Sequence, residues 1–420
     1  MTKPRIAFFG PVSPIPSGIS DYDEELLSLL REDFEIDVFA AIEKPRTGVY
    51  HHGDFFFRNA QYSYLPIYQM GNSLLHEYMY GTLFQFPGAI VFHDYCLHHS
   101  RAKMLFLRAQ FDEYKKEALL VHPEEPALGK IVYGGLCGEL SFYYFPFVRL
   151  LLQCALAAGA HTDYVAEKLR ITDTPVIKIP MAVMNSKEQR ASQLYPGKLV
   201  IASFGLVTAE KRIEPVLQSL RELRWQYPNL KYLIVGDIAP HYDLKKEIEK
   251  YGVDNLVEVT GRVERNRFQE FLARADIVVN LRYPSAREMS ATLLRALDFG
   301  KPVIISRLQH LLEIPEEVAP RVRPDHEFQD LMFHLTQLIE SEALRKRKSE
   351  AARAYIRKQH RPEQMKQKYV DLIDLALERR KDFRAPALPI HLQGGREIMR
   401  SYIQETCFDG RSTDLLDLIL

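Results

Sequence analysis

The stretch richest in potential chemistry is Arg282-Tyr-Pro-Ser-Ala-Arg287-Glu288-Met289-Ser290-Ala291-Thr292, which runs on to Gly300-Lys-Pro302. Ser290 is a good N-cap for a helix that Gly300 would end. The first amides of such a helix carry partial positive charge and suit an anion. A carboxylate at Glu288 would repel a lone phosphate. It fits if Glu288 hydrogen-bonds a neutral polyol held beside that phosphate, with Arg282 or Arg287 offsetting the charge. A phosphate flanked by sugar hydroxyls describes a nucleotide sugar. The plain alternative is a helix cap with unrelated charges around it.

Three further loops carry candidates. Gly205-Leu-Val-Thr-Ala-Glu-Lys211-Arg212 precedes a helix with Pro215 in its first turn, a place where proline is tolerated. Lys211 and Arg212 would add two cations to that helix N-terminus, a setting for a diphosphate; the alternative is two solvated surface charges. Gly10-Pro-Val-Ser-Pro-Ile-Pro-Ser-Gly18-Ile-Ser20 leads into Asp21-Tyr-Asp23-Glu24. Ser20 or Asp21 would cap the helix, Asp21 with Glu24 has capping-box spacing, and Gly18 leaves room for a ligand near the backbone. With three prolines, a rigid turn plus cap is an equal reading. Asp21-x-Asp23 matches the D-x-D string of metal-dependent transferases, yet both acids open a helix, where the dipole alone accounts for them. The last loop is His93-Asp94, after Ala-Ile-Val-Phe. A histidine leaving a parallel strand can turn to a ligand and donate a hydrogen bond, or it can pack and cap. His98 and His99 follow at spacings that match no standard zinc set, so no metal is expected.

These loops are positioned by a β/α alternation. Strands are expected at Arg5–Phe9, Glu35–Ala40, Tyr64–Tyr68 and Ala89–Phe92, with helices at Asp21–Arg31, Ser73–Gln85 and Ser100–Leu120. A second series has strands near Leu199–Phe204, Tyr232–Val235, Val257–Thr260, Ile277–Leu281 and Val303–Ser306. Its helices lie near Glu214–Tyr227, Leu244–Tyr251, Arg267–Arg274, Ala291–Phe299 and Phe328–Ser341. Such alternation predicts an α/β fold with parallel sheets covered on both faces. Each series opens with an apolar strand ending in glycine, which predicts two doubly wound domains, 1–190 and 191–383, hinged near Met184–Gly197. Open parallel sheets bind ligands beyond the carboxyl ends of their strands, so two facing domains would place a cleft between them. After about residue 342 the chain reads as basic helices whose charges mark solvated faces. The tail 384–420 is assigned no chemistry.

Composition sets the remaining bounds. The chain has 420 residues, 26% charged, with 55 Lys and Arg against 55 Asp and Glu. No global field draws it to nucleic acid. Four scattered cysteines with no C-x-x-C pair argue against a disulfide framework and for a reducing compartment, and the start lacks a signal-peptide pattern, so a cytoplasmic protein is expected. Phe142–Ala160 is nearly long enough to span a bilayer, but Pro146, Arg149 and Gln153 make it a buried helix instead.

In order and spacing the strings together resemble the family-4 glycosyltransferases of the GT-B fold. The resemblance covers residues 4–380. It is carried by P-x-x-P-x-P-S-G-I-x-D-Y at 11–22, Y-x-x-G-N-S at 68–73, V-F-H-D at 91–94, E-K at 210–211 and V-G-D at 235–237. The block N-L-R-Y-P-x-x-x-E-x-S…R-A-L…G-K-P-V at 280–303 completes it. It implies transfer of a hexose from a nucleotide diphosphate sugar with retention of configuration, usually without metal. No resident cofactor is expected; the nucleotide sugar is a co-substrate. By resemblance, Gly18 approaches the donor diphosphate, His93 hydrogen-bonds the sugar, Lys211 neutralises the diphosphate and Glu288 binds sugar hydroxyls. The amides of Ser290, Ala291 and Thr292, with Met289 beside them, hold the distal phosphate. Base and ribose lie against Gly236, Asp237 and the turn Gly261-Arg262-Val263.

Two departures stand out. Leu206 replaces an arginine common in the family, a loss that Arg212, Arg282 or Arg287 could make good. Ala296 replaces the second carboxylate of an E-x7-E pair, a ribose contact. Both motivate one alternative, a degenerate, non-catalytic nucleotide-sugar-binding subunit. Another is an inverting enzyme with Asp21 as base. A dinucleotide-dependent dehydrogenase is not expected, because no G-x-G-x-x-G follows either first strand. The first domain is expected to take a saccharide or lipid-linked acceptor, in cell-surface polysaccharide or glycoconjugate synthesis. Arg101–Lys116 is basic and apolar at helical spacing. That suits a packed helix with a solvated face or, alternatively, a peripheral contact at the inner membrane surface.

Overall fold

The computed structural model describes residues 3–13, 15, 17–136, 138–184, 194–388 and 392. The strands are β1 Arg5–Phe9, β2 Glu35–Ala40, β3 Val49–His51, β4 Leu65–Met70, β5 Ala89–Phe92, β6 Ala157–Ala160, β7 Val176–Lys178, β8 Leu199–Phe204, β9 Leu230–Val235, β10 Val257–Val259, β11 Ile277–Asn280, β12 Val303–Ser306 and β13 Arg321–Val322. The helices are α1 Gly18–Leu30, α2 Phe55–Tyr62, α3 Glu77–Gln85, α4 His98–Leu107, α5 Phe111–Val121, α6 Leu128–Tyr133, α7 Leu140–Tyr144, α8 Arg149–Cys154, α9 Asp163–Leu169, α10 Ile213–Leu223, α11 Leu244–Tyr251, α12 Arg265–Arg274, α13 Ala291–Asp298, α14 Glu327–Glu340, α15 Glu342–Gln359 and α16 Pro362–Arg379.

The chain forms two compact units. Of the described residues, the first comprises those up to Pro180, Ala286–Met289 and those from Glu363 onward; the second comprises those in Met181–Ser285 and Ser290–Pro362. The division differs from the expected 190/191 boundary, and α16 belongs with the first unit rather than the second. The expected hinge falls largely on 185–193, outside the described residues, as does most of the 384–420 tail.

In the first unit seven parallel strands lie in the order β3-β2-β1-β4-β5-β6-β7. Continuous apolar runs build it: Ile6 to Phe9 and Ala89 to Phe92 are buried throughout, as sheets covered on both faces require. β3, β6 and β7 were not anticipated. The segment read as one buried helix, Phe142–Ala160, is instead the end of α7, then α8, then β6. Within its Ala-Ala-Gly-Ala strand, a Cβ on Gly159 would stand within 3.0 Å of the Ile179 side-chain tip. The predicted helix Ser100–Leu120 is broken where Ala109 takes φ 57°. The resulting α4 and α5 are joined by a buried pair, Arg101 to Glu117 at 2.5 Å. That pairing removes Arg101 from the expected basic surface.

In the second unit six parallel strands follow the order β10-β9-β8-β11-β12-β13. The basic helix α15 is less solvated than its charges suggest. Arg345 donates to the carbonyls of Leu338 and Ile339, Lys348 to that of Glu316 and Arg353 to that of Phe299. Cations are thus set against the carbonyl ends of α14 and α13, where the helix dipole favours them. In both sheets strand order reverses once, between β1 and β4 and between β8 and β11. Open α/β sheets bind ligands at such points, beyond the carboxyl ends of the strands.

Candidate functional site

At the β8/β11 reversal of the second unit, a narrow crevice is lined by Ser203, Phe204, Gly205, Lys211, Asn280 and Leu281 among others. Gly205 has φ 99°, and a Cβ there would lie 3.6 Å from Lys211 Nζ and 3.8 Å from Thr292 Cγ2. Loop, cation and helix start therefore converge on one spot. Ser290 caps α13, its hydroxyl accepting from the Leu293 amide at 3.3 Å and meeting the Thr292 hydroxyl at 3.0 Å. The Arg282 guanidinium donates to Ser290 Oγ at 3.1 Å and its amide to Ser306 Oγ at 2.8 Å. Asn280 Nδ2 reaches Thr292 Oγ1 at 3.3 Å, while its buried Oδ1 has no hydrogen-bond partner. A helix N-terminus, two cations and hydroxyl donors are what an anion needs.

Beside it, Gly236 packs on Gly205 so tightly that a Cβ would come within 3.0 Å of the Gly205 carbonyl, and it bridges to Gly261. Asp237 Oδ1 accepts from the Arg262 amide at 2.9 Å, which fixes the Gly261–Val263 turn. Gly236, Asp237, Arg262 and Val263 thus lie along one carboxyl edge with Gly205 and Lys211. Arg212 does not join them. Its backbone is left-handed at φ 53° and its Nε sits 2.9 Å from both carboxylate oxygens of Glu327. Ala296 is fully buried, so position 296 faces packing rather than ligand.

The first unit holds the remaining candidates. α1 begins three residues earlier than expected, because Ser17, not Ser20 or Asp21, accepts from the Ile19 amide. Gly18 is then the first helical residue and is exposed. Glu24 bonds the Ser13 amide at 3.3 Å. Asp23 points inward, fully buried, with neither carboxyl oxygen hydrogen-bonded, and burial pushes its pKa well above the usual carboxylate range. At the β1/β4 reversal, a Cβ on Gly71 would come within 3.0 Å of Ile19 and His76 and 3.3 Å from Asp94 Oδ2. Asp94 Oδ2 accepts from the Asn72 amide at 2.6 Å.

His93 is only 6% exposed. Its Nε2 lies 2.7 Å from Gln69 Oε1 and its Nδ1 3.1 Å from His161 Nε2. Burial, then the neighbouring imidazoles of His161 and His76, push its pKa well below the ordinary histidine value. Sequence reading missed Gln69, His161 and Tyr369 around it. A glutamine inside the apolar run Leu65–Met70 was the available signal; nothing marked Tyr369.

Ala286–Met289, with Arg287, Glu288 and Met289, belongs to the same unit as His93. The Ala286 carbonyl accepts from the amides of Tyr95 and Cys96. Arg287, left-handed at φ 62°, places its guanidinium 2.6 Å from Cys96 Sγ, 3.1 Å from the Tyr143 carbonyl and 5.1 Å from the Tyr95 ring centroid. It serves as a clamp for this segment. The Cys96 thiol is pushed up to about 12, by burial first, partly opposed by Arg287 and reinforced by Asp94 and Glu288. Both carboxylates are therefore within electrostatic reach of the β5 loop. His98 is buried, 2.7 Å from the Tyr114 hydroxyl, with its pKa lowered to about 3 by burial first. Among the described residues no His, Cys, Asp and Glu group has metal-binding geometry, and no helix is long and apolar enough to cross a membrane.

The fold and this geometry define a two-domain GT-B architecture. Residues 184–355, most of them in the second unit, match the family of glycosyl transferases group 1. Over 143 residues the chain is 26% identical to the phosphatidylinositol N-acetylglucosaminyltransferase gpi3 subunit of Schizosaccharomyces pombe, a match covering 34% of this chain. The chain spans 30% and 38% of the length of two curated relatives. In fold it is similar to the sucrose-phosphate synthase of Thermosynechococcus elongatus, with TM-score 0.64 and 14% identity over 90% of this chain and 100% of that one. It is also similar to Anabaena Alr3699/HepE in complex with UDP, with TM-score 0.57 and 14% identity over 88% and 99%.

Proposed function

We propose that the protein is a glycosyltransferase that moves a hexosyl unit, with retention of configuration, from a nucleotide diphosphate sugar to a saccharide or lipid-linked acceptor. The observation that carries this is the convergence of Gly205, Lys211 and the capped start of α13 at the β8/β11 reversal, within the segment matching the family. There the second unit holds the diphosphate, with base and ribose along Gly236, Asp237 and the Arg262 turn. Glu288 and His93, in the first unit, read the sugar. The bond from the anomeric carbon to the diphosphate oxygen breaks, and the electron pair leaves with the diphosphate. Lys211, Arg282 and the α13 amides stabilise that growing charge. The acceptor hydroxyl attacks from the same face and its proton passes to the departing phosphate oxygen, so no protein base is needed. The gpi3 match supports a lipid-linked acceptor.

Calorimetry with a panel of UDP-, GDP- and ADP-sugars tests the reading; one must bind and release its nucleotide when acceptor is supplied. Glu288→Ala should lower turnover at least about tenfold, the loss of one hydrogen bond made to the reacting sugar. Binding of a nucleotide sugar with no release of nucleotide when acceptor is supplied would instead favour the non-catalytic alternative, and absence of affinity for every nucleotide sugar would refute both.

A further inference from the structure

Five buried side chains of the first unit form one hydrogen-bonded row. Gln69 is in β4, His93 follows β5 and His161 follows β6, and the register aligns them: Met70 pairs with Phe92, and Phe92 with Ala160. His161 Nδ1 is 3.0 Å from the Ile179 carbonyl, and its Nε2 is 3.1 Å from His93 Nδ1. His93 Nε2 is 2.7 Å from the Gln69 amide, and the Tyr369 hydroxyl is 3.2 Å from the same amide atom. Tyr369, delivered by α16, also meets the Tyr22 hydroxyl at 2.9 Å. The Tyr22 ring stands edge-on to both imidazoles, at 4.9 and 5.4 Å.

Counting protons along the row leaves two arrangements. The Ile179 carbonyl can only accept, so His161 Nδ1 carries hydrogen. If the Gln69 carbonyl oxygen faces His93, His93 must donate from Nε2. The His93–His161 contact then needs an extra proton, which makes an imidazolium of one ring or the other, His161 at 2% or His93 at 6% exposure. If the Gln69 amide faces the other way, a rotation that exchanges oxygen and NH2 at the same positions, every ring is neutral. The NH2 group donates to His93 Nε2 and to Tyr369; His93 Nδ1–H donates to His161, and Tyr369 to Tyr22. That orientation also gives partners to an NH2 group that otherwise has none, leaving only a carbonyl oxygen to be satisfied.

We propose that Gln69, His161 and Tyr369 are positioning residues that lock His93 as the neutral Nδ1–H tautomer with Nε2 as an acceptor. Through Tyr369, α16 becomes part of the sugar-reading machinery. The assignment rests on His93 contacting the donor sugar, as above. It specifies that a sugar hydroxyl reaching His93 Nε2 replaces the Gln69 amide and donates to the ring. The lowered pKa of His93 agrees with a neutral ring.

Long-range proton–nitrogen spectra of the full chain, labelled with ¹⁵N-histidine and assigned with His93→Gln, read the tautomer directly at neutral pH. His93 should be protonated at Nδ1 and bare at Nε2. An Nε2–H ring at His93, or an imidazolium at His161, would overturn the proposal. Gln69→Met, which removes the NH2 donor and adds no titratable group, should give a mixture of His93 tautomers and lower kcat about tenfold with KM for the nucleotide sugar little changed. Tyr369→Phe keeps the ring and the packing, and should give a mixture of His93 tautomers. An unchanged single tautomer in both variants would sink the positioning role. Normal turnover by His93→Gln would remove the sugar contact while leaving the tautomer result intact, so the two failures are separable.

Discussion

Asp23 gives the sharpest physical test of the first unit. Its carboxyl group is fully buried, neither oxygen has a hydrogen-bond partner, and burial raises its pKa well above 3.8. An acid with a raised folded pKa binds its proton more tightly in the native chain than in the unfolded one. Below the unfolded pKa both states are protonated and nothing is lost; as pH rises above it, the unfolded chain ionises and the folded chain does not. Stability then falls by about 1.4 kcal/mol per pH unit until the folded pKa is reached. Asp23→Asn keeps the shape and cannot ionise. Wild type and variant should therefore be equally stable near pH 3.8, with the variant gaining about 1.4 kcal/mol per unit above it. Because two units need not unfold together, the assay is hydrogen exchange of the β1 and β4 amides across pH, with intrinsic exchange rates divided out. A stability difference that stays constant with pH would show that Asp23 does not hold its proton.

Two predictions concern the second unit. Gly236 has φ 151° and no room for a Cβ against the Gly205 carbonyl. Gly236→Ala should cost at least about 2 kcal/mol in denaturant unfolding and weaken nucleotide binding, since backbone must move at the cleft. Arg212→Ala strands the buried carboxylate of Glu327, whose side chain is 6% exposed against 31% for Arg212. The expected loss is about 2–3 kcal/mol of stability, below the range for a fully buried pair because Arg212 is partly solvated. Nucleotide-sugar affinity measured by calorimetry on the folded variant should change less than twofold, and a tenfold loss would return Arg212 to the diphosphate.

The second unit was the more legible in sequence because its signals are local. β8 and β12 match the expected bounds residue for residue, as do β1, β2 and β5 of the first unit. In the second unit, however, only the short β13 is an unexpected strand among the described residues, and Ser290 is legible as a cap from its own neighbours. The first unit depends on long-range events. β6 is an Ala-Ala-Gly-Ala strand with no strand-forming side chain, held by pairing between β5 and β7. The break between α4 and α5 sits at an alanine that no propensity would mark. His93 was singled out correctly as a polar residue leaving a strand. Its surroundings come from three strands, α1 and α16, the last nearly 300 residues downstream, and no local pattern shows which hydrogen bonds such a ring makes.

The structure also changes how charge is compensated in the proposed reaction. Sequence spacing offered Arg212, Arg282 and Arg287 as substitutes for the cation lost at Leu206, which is 54% exposed. Two of the three are committed elsewhere: Arg212 to Glu327, and Arg287 to Cys96 and the Tyr143 carbonyl. Arg282 lies in the second unit, held against Ser290 at the start of α13, and a Cβ on Gly205 would meet both Lys211 and Thr292 there. A departing diphosphate gains negative charge only as the glycosidic bond stretches, so groups fixed at that spot act on the transition state more than on bound donor. Arg287 contributes differently. By clamping Ala286–Met289 to the β5 loop it fixes the backbone that carries Glu288, so its value lies in where it holds a carboxylate rather than in its own charge.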